Sequence, residues 1–143
     1  MEDRFLEYAD YRVVAGEAAF RAITQAQPEV VDQAELEAIE EISGYLRPKY
    51  DVEAVFGSRG TERNARVVMV AVDVALYHMV ASQPQRMGYE IRETRYQRSV
   101  DWLKDVAAGK VVPDLPLAED GNDETNGGGE LTWGSQWKRG NEW

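Results

Sequence analysis

The run from Val67 to Val80 restricts the fold more than any other part of the chain. As a helix, its residues Val67, Val68, Val70, Ala71, Val72, Val74, Ala75, Leu76, Met79 and Val80 cover nearly every face. A helix that is apolar all round is a central one, enclosed by others. The many valines also suit a strand. The run is longer than a buried strand usually is, so a helix over about residues 61–82 is the expectation. Asp73 and His78 interrupt it, and it is short for a membrane span, so it reads as a core helix.

The flanking segments supply helices to enclose it. Residues 9–25 read as one broken or two short helices, split near Gly16, with Val13, Val14, Phe20 and Ile23 at loose helical spacing. Pro28 is placed in the loop that follows. Asp32 and Glu35 fit a capping box, with Val31 and Leu36 as its hydrophobic staple. From there Leu36, Ile39, Ile42, Tyr45 and Leu46 form an apolar stripe, which should end near Arg47 because Pro48 disfavours helix in the residue before it. Residues 48–60 read as a connection, docked by Val52, Val55 and Phe56. A last helix is expected from about Tyr89 to Ala108, with Tyr89, Tyr96, Val100, Leu103 and Ala107 as its stripe and Gly109 as its stop. The fold class that follows is all-α, a small bundle of about four to five helices with an extended C-terminal arm.

Composition divides the chain into residues 1–117, the helical domain, and 118–143, the arm. Hydrophobic residues are 43% of the whole, enough for one core. The arm opens with Glu119, Asp120, Asp123 and Glu124 among Gly and Asn, a stretch with too little apolar surface to offset the entropy of ordering it. It closes on Trp133, Trp137 and Trp143, with Lys138 and Arg139 beside them. Tryptophan is an interface anchor and is scarce in idle tails, so these five residues are the expected partner-binding group.

Charge and residue types narrow the chemistry. With 16 basic and 26 acidic residues the net charge is −10, which opposes binding to nucleic acid or to an anionic membrane. There is no cysteine, hence no disulfide and no thiolate metal site. The start, Met1-Glu2-Asp3-Arg4, has no apolar stretch of the kind a signal peptide needs. His78, the only histidine, has Ala75 and Val74 where helical carboxylate metal sites place a ligand, so it reads as structural or partly exposed. Asp73, inside the apolar helix, must be paired or shift its pKa; a structural pair with an arginine or tyrosine of a neighbouring helix is the expectation, and a catalytic acid the rival. Glu35, Glu37, Glu40 and Glu41 read as a solvated face rather than a cation site. Gly127–Gly129 lacks the strand and the Gly-Lys-Ser/Thr of a phosphate loop, and Ser58 and Ser135 have no triad context. No catalytic residue, cofactor or metal is therefore assigned.

Three stretches carry a resemblance. Glu41-Ile42-Ser43-Gly44-Tyr45-Leu46-Arg47-Pro48-Lys49-Tyr50 resembles the end of the long helix in the Mu-like prophage head–tail connector proteins of tailed phages. Asp73-Val74-Ala75-Leu76-Tyr77 is similar to that family's pattern of Asp, Ala and Tyr in the third helix. The stretch from Tyr96 to Lys110, with its Trp102-Leu103 pair and its Gly109-Lys110 close, resembles the last helix. With Asp32 opening the long helix, order and spacing agree over about residues 5–112; the arm lies outside the resemblance.

The resemblance implies a structural virion protein of the neck, made in the bacterial host cytoplasm. Such proteins form a ring, often twelvefold, that bridges the portal protein to tail-side neck proteins and lets DNA pass without sequence-specific contact. It implies neither catalysis nor a cofactor. The net charge of −10 adds the expectation of an acidic channel wall that repels DNA. Two other readings compete with it: a free helical adaptor or regulatory protein that binds a cellular partner through the tryptophan arm, and an enzyme or ligand binder built on Asp73, Tyr77 and His78.

Overall fold

The computed structural model describes residues 3–24, 28–82 and 88–119. Among these the protein is all-α, with six α-helices rather than four or five: α1 (Tyr8–Ala15), α2 (Glu17–Thr24), α3 (Pro28–Leu46), α4 (Val52–Gly57), α5 (Ala65–Ala81) and α6 (Tyr89–Ala107). A 3-10 turn at Gly60–Glu62 precedes α5. No strand occurs among the described residues, only an isolated antiparallel bridge between Tyr50 and Leu117.

The apolar run is the helix that the bundle encloses. α5 packs on α3, on α6 and on α1, and Val67, Val70, Ala71, Val72, Val74, Ala75, Leu76, Met79 and Val80 are all buried. It begins later than its composition suggested. Asn64 caps it, its side chain accepting from the amides of Arg66 at 2.9 Å and Val67 at 3.0 Å, which satisfies two donors of the first turn. Thr61 and Glu62 go to the 3-10 turn instead.

α1 and α2 divide at Gly16, whose φ of +87° suits a glycine between two short helices. Tyr11 and Phe20 stack across that division, with centroids 5.1 Å apart. Arg63 fastens the start of the chain to the loop before α5: it donates to Asp10 at 2.7 Å and to the Phe5 carbonyl at 2.9 Å.

α3 starts earlier than its sequence pattern suggests. The helix opens at Pro28, a turn before the proposed cap, so Pro28 is its first residue and not a loop residue. Proline fits there because a helix leaves its first amides unbonded in any case. Asp32 and Glu35 therefore lie inside the helix and form no capping box; both face Arg4. Leu36 is 65% exposed and belongs to no staple. The buried face runs through Val31, Ala34, Glu35, Ala38, Ile42 and Leu46, where small alanines let α3 lie close to α5.

The connection at residues 48–60 contains α4, opened by Asp51, whose carboxylate accepts from the Ala54 amide at 3.2 Å. On α6 the inner positions are Arg92, Ser99, Val100, Leu103 and Val106, and Ala107 is exposed. The end of α6 is as expected. Gly109 has φ +84°, its amide bonds to Val106 at 3.0 Å, and the Lys110 amide bonds to Asp105 at 2.8 Å, a Schellman close. The chain then returns along α4: the Asp51 amide donates to the Pro116 carbonyl at 2.9 Å and the Ala118 amide to that of Lys49 at 3.0 Å.

Candidate functional site

Among the described residues, three polar clusters tie helices to one another or to the N-terminal segment. The first joins α3, α5 and α6. Glu41 takes a hydrogen bond from the Tyr96 hydroxyl at 2.5 Å on one oxygen, and its other oxygen lies 3.0 Å from Nε2 of His78. The Tyr77 ring stacks on Tyr96 with centroids 4.2 Å apart, and its hydroxyl lies 3.3 Å from that of Tyr89. Burial pushes the Tyr96 phenol well above its ordinary value, and the neighbouring Glu41 carboxylate adds to the shift. Tyr96 is therefore a neutral donor at physiological pH. The cluster brings His78 and Tyr77 together as a cross-helix clasp, with both Glu41 oxygens engaged.

Asp73 stands in a separate cluster. It is 5% exposed, and Nε of Arg95 on α6 donates to it at 2.7 Å. Arg92, one turn earlier on α6, is buried beside the same carboxylate, and one of its terminal nitrogens has no partner. Burial lowers the pKa of this guanidinium, the nearby Asp73 opposing that change. A hollow of about 120 Å³ opens here between Arg66, Met69, Asp73, Arg95, Arg98 and Ser99. Arg66 lies over the Trp102 ring, 5.2 Å from its centroid.

The third cluster ties the N-terminal segment to α3. Arg4 bonds the buried Glu35 and lies 3.2 Å from Asp32. Burial pushes the Glu35 carboxyl above the usual carboxylate range, against the pull of Arg4. Tyr11, in the core beside it, is pushed up first by burial and then by the Glu35 charge. A groove of about 460 Å³ runs past this cluster, between Arg4, Asp32, Leu36, Ile39, Phe56 and Arg59.

The residues singled out in the sequence are thus distributed. Tyr77 and His78 share one cluster, while Asp73 is bound to Arg95 in another. Glu41 proves to be a bridging acceptor, and Glu35 is buried, so neither belongs to a solvated face; Glu37 and Glu40 do. Trp133, Trp137, Lys138, Arg139 and Trp143 lie outside the described residues. Sequence reasoning missed Arg92, Arg95 and Arg98. Their signal was spacing, since arginines three residues apart stand next to one another on a helix surface.

Among the described residues no group of three His, Asp or Glu side chains is arranged to hold a metal ion, and no helix is long and apolar enough to cross a membrane. The family model described as Bacteriophage Mu, Gp36 matches residues 5–131. No curated protein and no solved structure matches the chain.

Proposed function

The chain belongs to the bacteriophage Mu Gp36 family, and from this we infer a structural role in the phage particle, as a subunit of the head–tail connector ring. The match over residues 5–131 is the observation that carries the reading. It includes all three stretches that resemble connector proteins, and it makes the protein a phage protein of the Mu type.

In this reading the subunits sit at the neck, between the portal protein and tail-side proteins, and DNA passes through the ring they enclose. The bundle suits the task. An enclosed α5, clasped to its neighbours by Glu41–His78, Glu41–Tyr96 and Asp73–Arg95, gives a stiff wedge. Stiff wedges repeated about an axis close a ring through head-to-tail contacts. The role is non-catalytic and needs no cofactor, which fits polar clusters whose bonds run between helices. The residues Trp133, Trp137, Lys138, Arg139 and Trp143 serve as the grip on a neighbouring component.

The test is a phage carrying a stop codon in this gene. Electron microscopy should show DNA-filled heads and separate tails, and supplying the gene from a plasmid should restore joined particles. Joined, infectious particles formed without the protein would overturn the reading.

A further inference from the structure

We propose that copies of this chain join side to side by seating the arginine hollow of one copy on the glutamate-edged ridge of α3 in the next. The proposal rests on the ring reading and names the two faces that would close such a ring.

The hollow is out of character for a chain of net charge −10. Arg66, Arg95 and Arg98 line it, and its single carboxylate, Asp73, is already bound to Arg95. Arg92, buried behind it, adds a further positive charge beside the same carboxylate, with one nitrogen unsatisfied. Positive charge therefore exceeds negative charge here, and carboxylates from outside would restore the balance. The surroundings have the make-up of a contact surface. Ile91, Arg95, Arg98 and Trp102 share one face of α6 at helical spacing, with Ile91 55% exposed, and Met69 is exposed beside them on α5. Arginine, methionine and aromatic rings are the residues enriched where proteins meet.

The complementary face is on the same molecule. α3 presents Glu29, Glu37 and Glu40 to solvent. A shallow groove of about 230 Å³ separates it from the end of α5, with Val30 and Ala34 between Glu29 and Glu37. His78 and Ser82 form the α5 side of that groove, whereas Arg66, Met69 and Asp73 form the α5 side of the hollow. At about 100° per residue these two sets project to roughly opposite sides of α5. Opposite charge on opposite sides cannot make a two-fold contact of one patch with itself. It makes a head-to-tail contact, which repeats from copy to copy and closes a ring where the rotation between neighbours divides the full turn. Like charges meeting in any other orientation reject it. DNA phosphate is the rival anion. It is disfavoured by the chain's own charge and by the carboxylate within the hollow.

The experiment reverses charges on the full chain. Arg98→Glu and Glu37→Arg are both surface changes, and far-ultraviolet circular dichroism checks that each variant stays helical. Self-association is followed by sedimentation velocity over a concentration series, alone and with portal rings. Each reversal should weaken association by about tenfold or more. The double variant should recover it, as should a mixture of the two single variants, because each then offers the other a matched pair. Single reversals that associate as the wild type does would overturn the assignment of faces and leave the ring reading standing. A wild-type chain that never self-associates, even with portal rings, would overturn the ring reading and this inference together. Double-stranded DNA bound by the wild type and released by Arg98→Glu, with self-association unchanged, would assign the hollow to phosphate and overturn the proposal.

Discussion

Arg95 on α6 donates from Nε to Asp73 on α5 at 2.7 Å, and Arg92 lies one helical turn away from that donor beside the same carboxylate. The enclosed helix thus carries one buried charge that two arginines of its outer neighbour answer. The arrangement is asymmetric. Asp73 has a second cation at hand if Arg95 is lost, whereas the two arginines share a single acceptor. This asymmetry sets which partner can be removed at lower cost.

Arg95→Ala and Asp73→Ala are expected to destabilise the bundle to different degrees. Breaking a buried pair from one side costs about 3–5 kcal/mol. Arg95 is 29% exposed and Arg92 stands in reserve, so its removal should fall at or below the lower end of that range. Asp73→Ala leaves the buried Arg92 facing Arg95 with no carboxylate between them and should cost more. Urea denaturation measures both. Equal losses, or a greater loss for Arg95→Ala, would mean that Arg92 plays no part in holding Asp73.

Glu35 gives a pH dependence of known sign. Burial raises its pKa in the folded protein above the ordinary carboxyl value, so the folded state holds this proton over a window where the unfolded chain has released it. Its contribution to stability is fully present below the unfolded value and is lost as pH rises through the raised one. The stability of the wild type relative to Glu35→Gln should therefore increase as pH falls through that window. Paired urea titrations at stepped pH test the slope, and the carboxyl carbon resonance of Glu35 should titrate above those of the exposed glutamates. A difference that shrinks on acidification would show that Arg4 outweighs burial.

What was legible in the sequence and what was not follow a physical line. α5 could be read because an all-round apolar surface has one outcome, burial. The stop at Gly109 could be read because a positive φ after a helix favours glycine. The inner face of α3 could not be read. Its buried positions include Ala34, Ala38 and Glu35, which look indifferent or polar, while Leu36 looks like core and faces solvent. Glu35 is tolerated inside because Arg4, distant in sequence, reaches it, and a local pattern holds no trace of that contact. The site divides in the same way. That Asp73 needs a partner follows from its setting; that the partner is Arg95 depends on how α6 lies against α5. Lengthwise, α4 was missed because a helix of six residues has no period to detect.

Two glycines, Gly109 just past α6 and Gly44 inside α3, should respond oppositely to alanine. Gly109 holds φ +84°, and a Cβ there would lie 3.3 Å from Nζ of Lys49. A left-handed residue with a side chain costs about 1–2 kcal/mol, so Gly109→Ala should lower stability by about that much. Gly44 lies within α3 with nothing within 4 Å of an added Cβ. Gly44→Ala should stabilise by about 0.5–1 kcal/mol through the lost freedom of the unfolded chain. Thermal melts of both variants against the wild type decide it. A loss at Gly44 would point to a contact made by that face of α3 in the assembled protein rather than in the free chain, and comparison at low and high protein concentration separates the two.

The return segment after α6 makes a prediction about where the folded unit ends. Residues 111–118 carry no helix, yet Pro116 and Ala118 bond across to Asp51 and Lys49, Asn64 donates to the Asp114 carbonyl at 3.2 Å, and Val111 and Leu115 pack on the core. Asn64 and Asp51 are also the caps of α5 and α4, so this segment buttresses two helix starts at once. A chain cut after Lys110 should lose about 2–3 kcal/mol relative to one cut after Glu119, roughly the net worth of three hydrogen bonds. The first amides of α4 and α5 should exchange hydrogen faster in the shorter chain, with the centre of α5 least affected. Equal melting of the two truncations, with unchanged exchange at Ala54 and Val67, would place the end of the folded unit at Lys110 and leave the Tyr50–Leu117 bridge without consequence for stability.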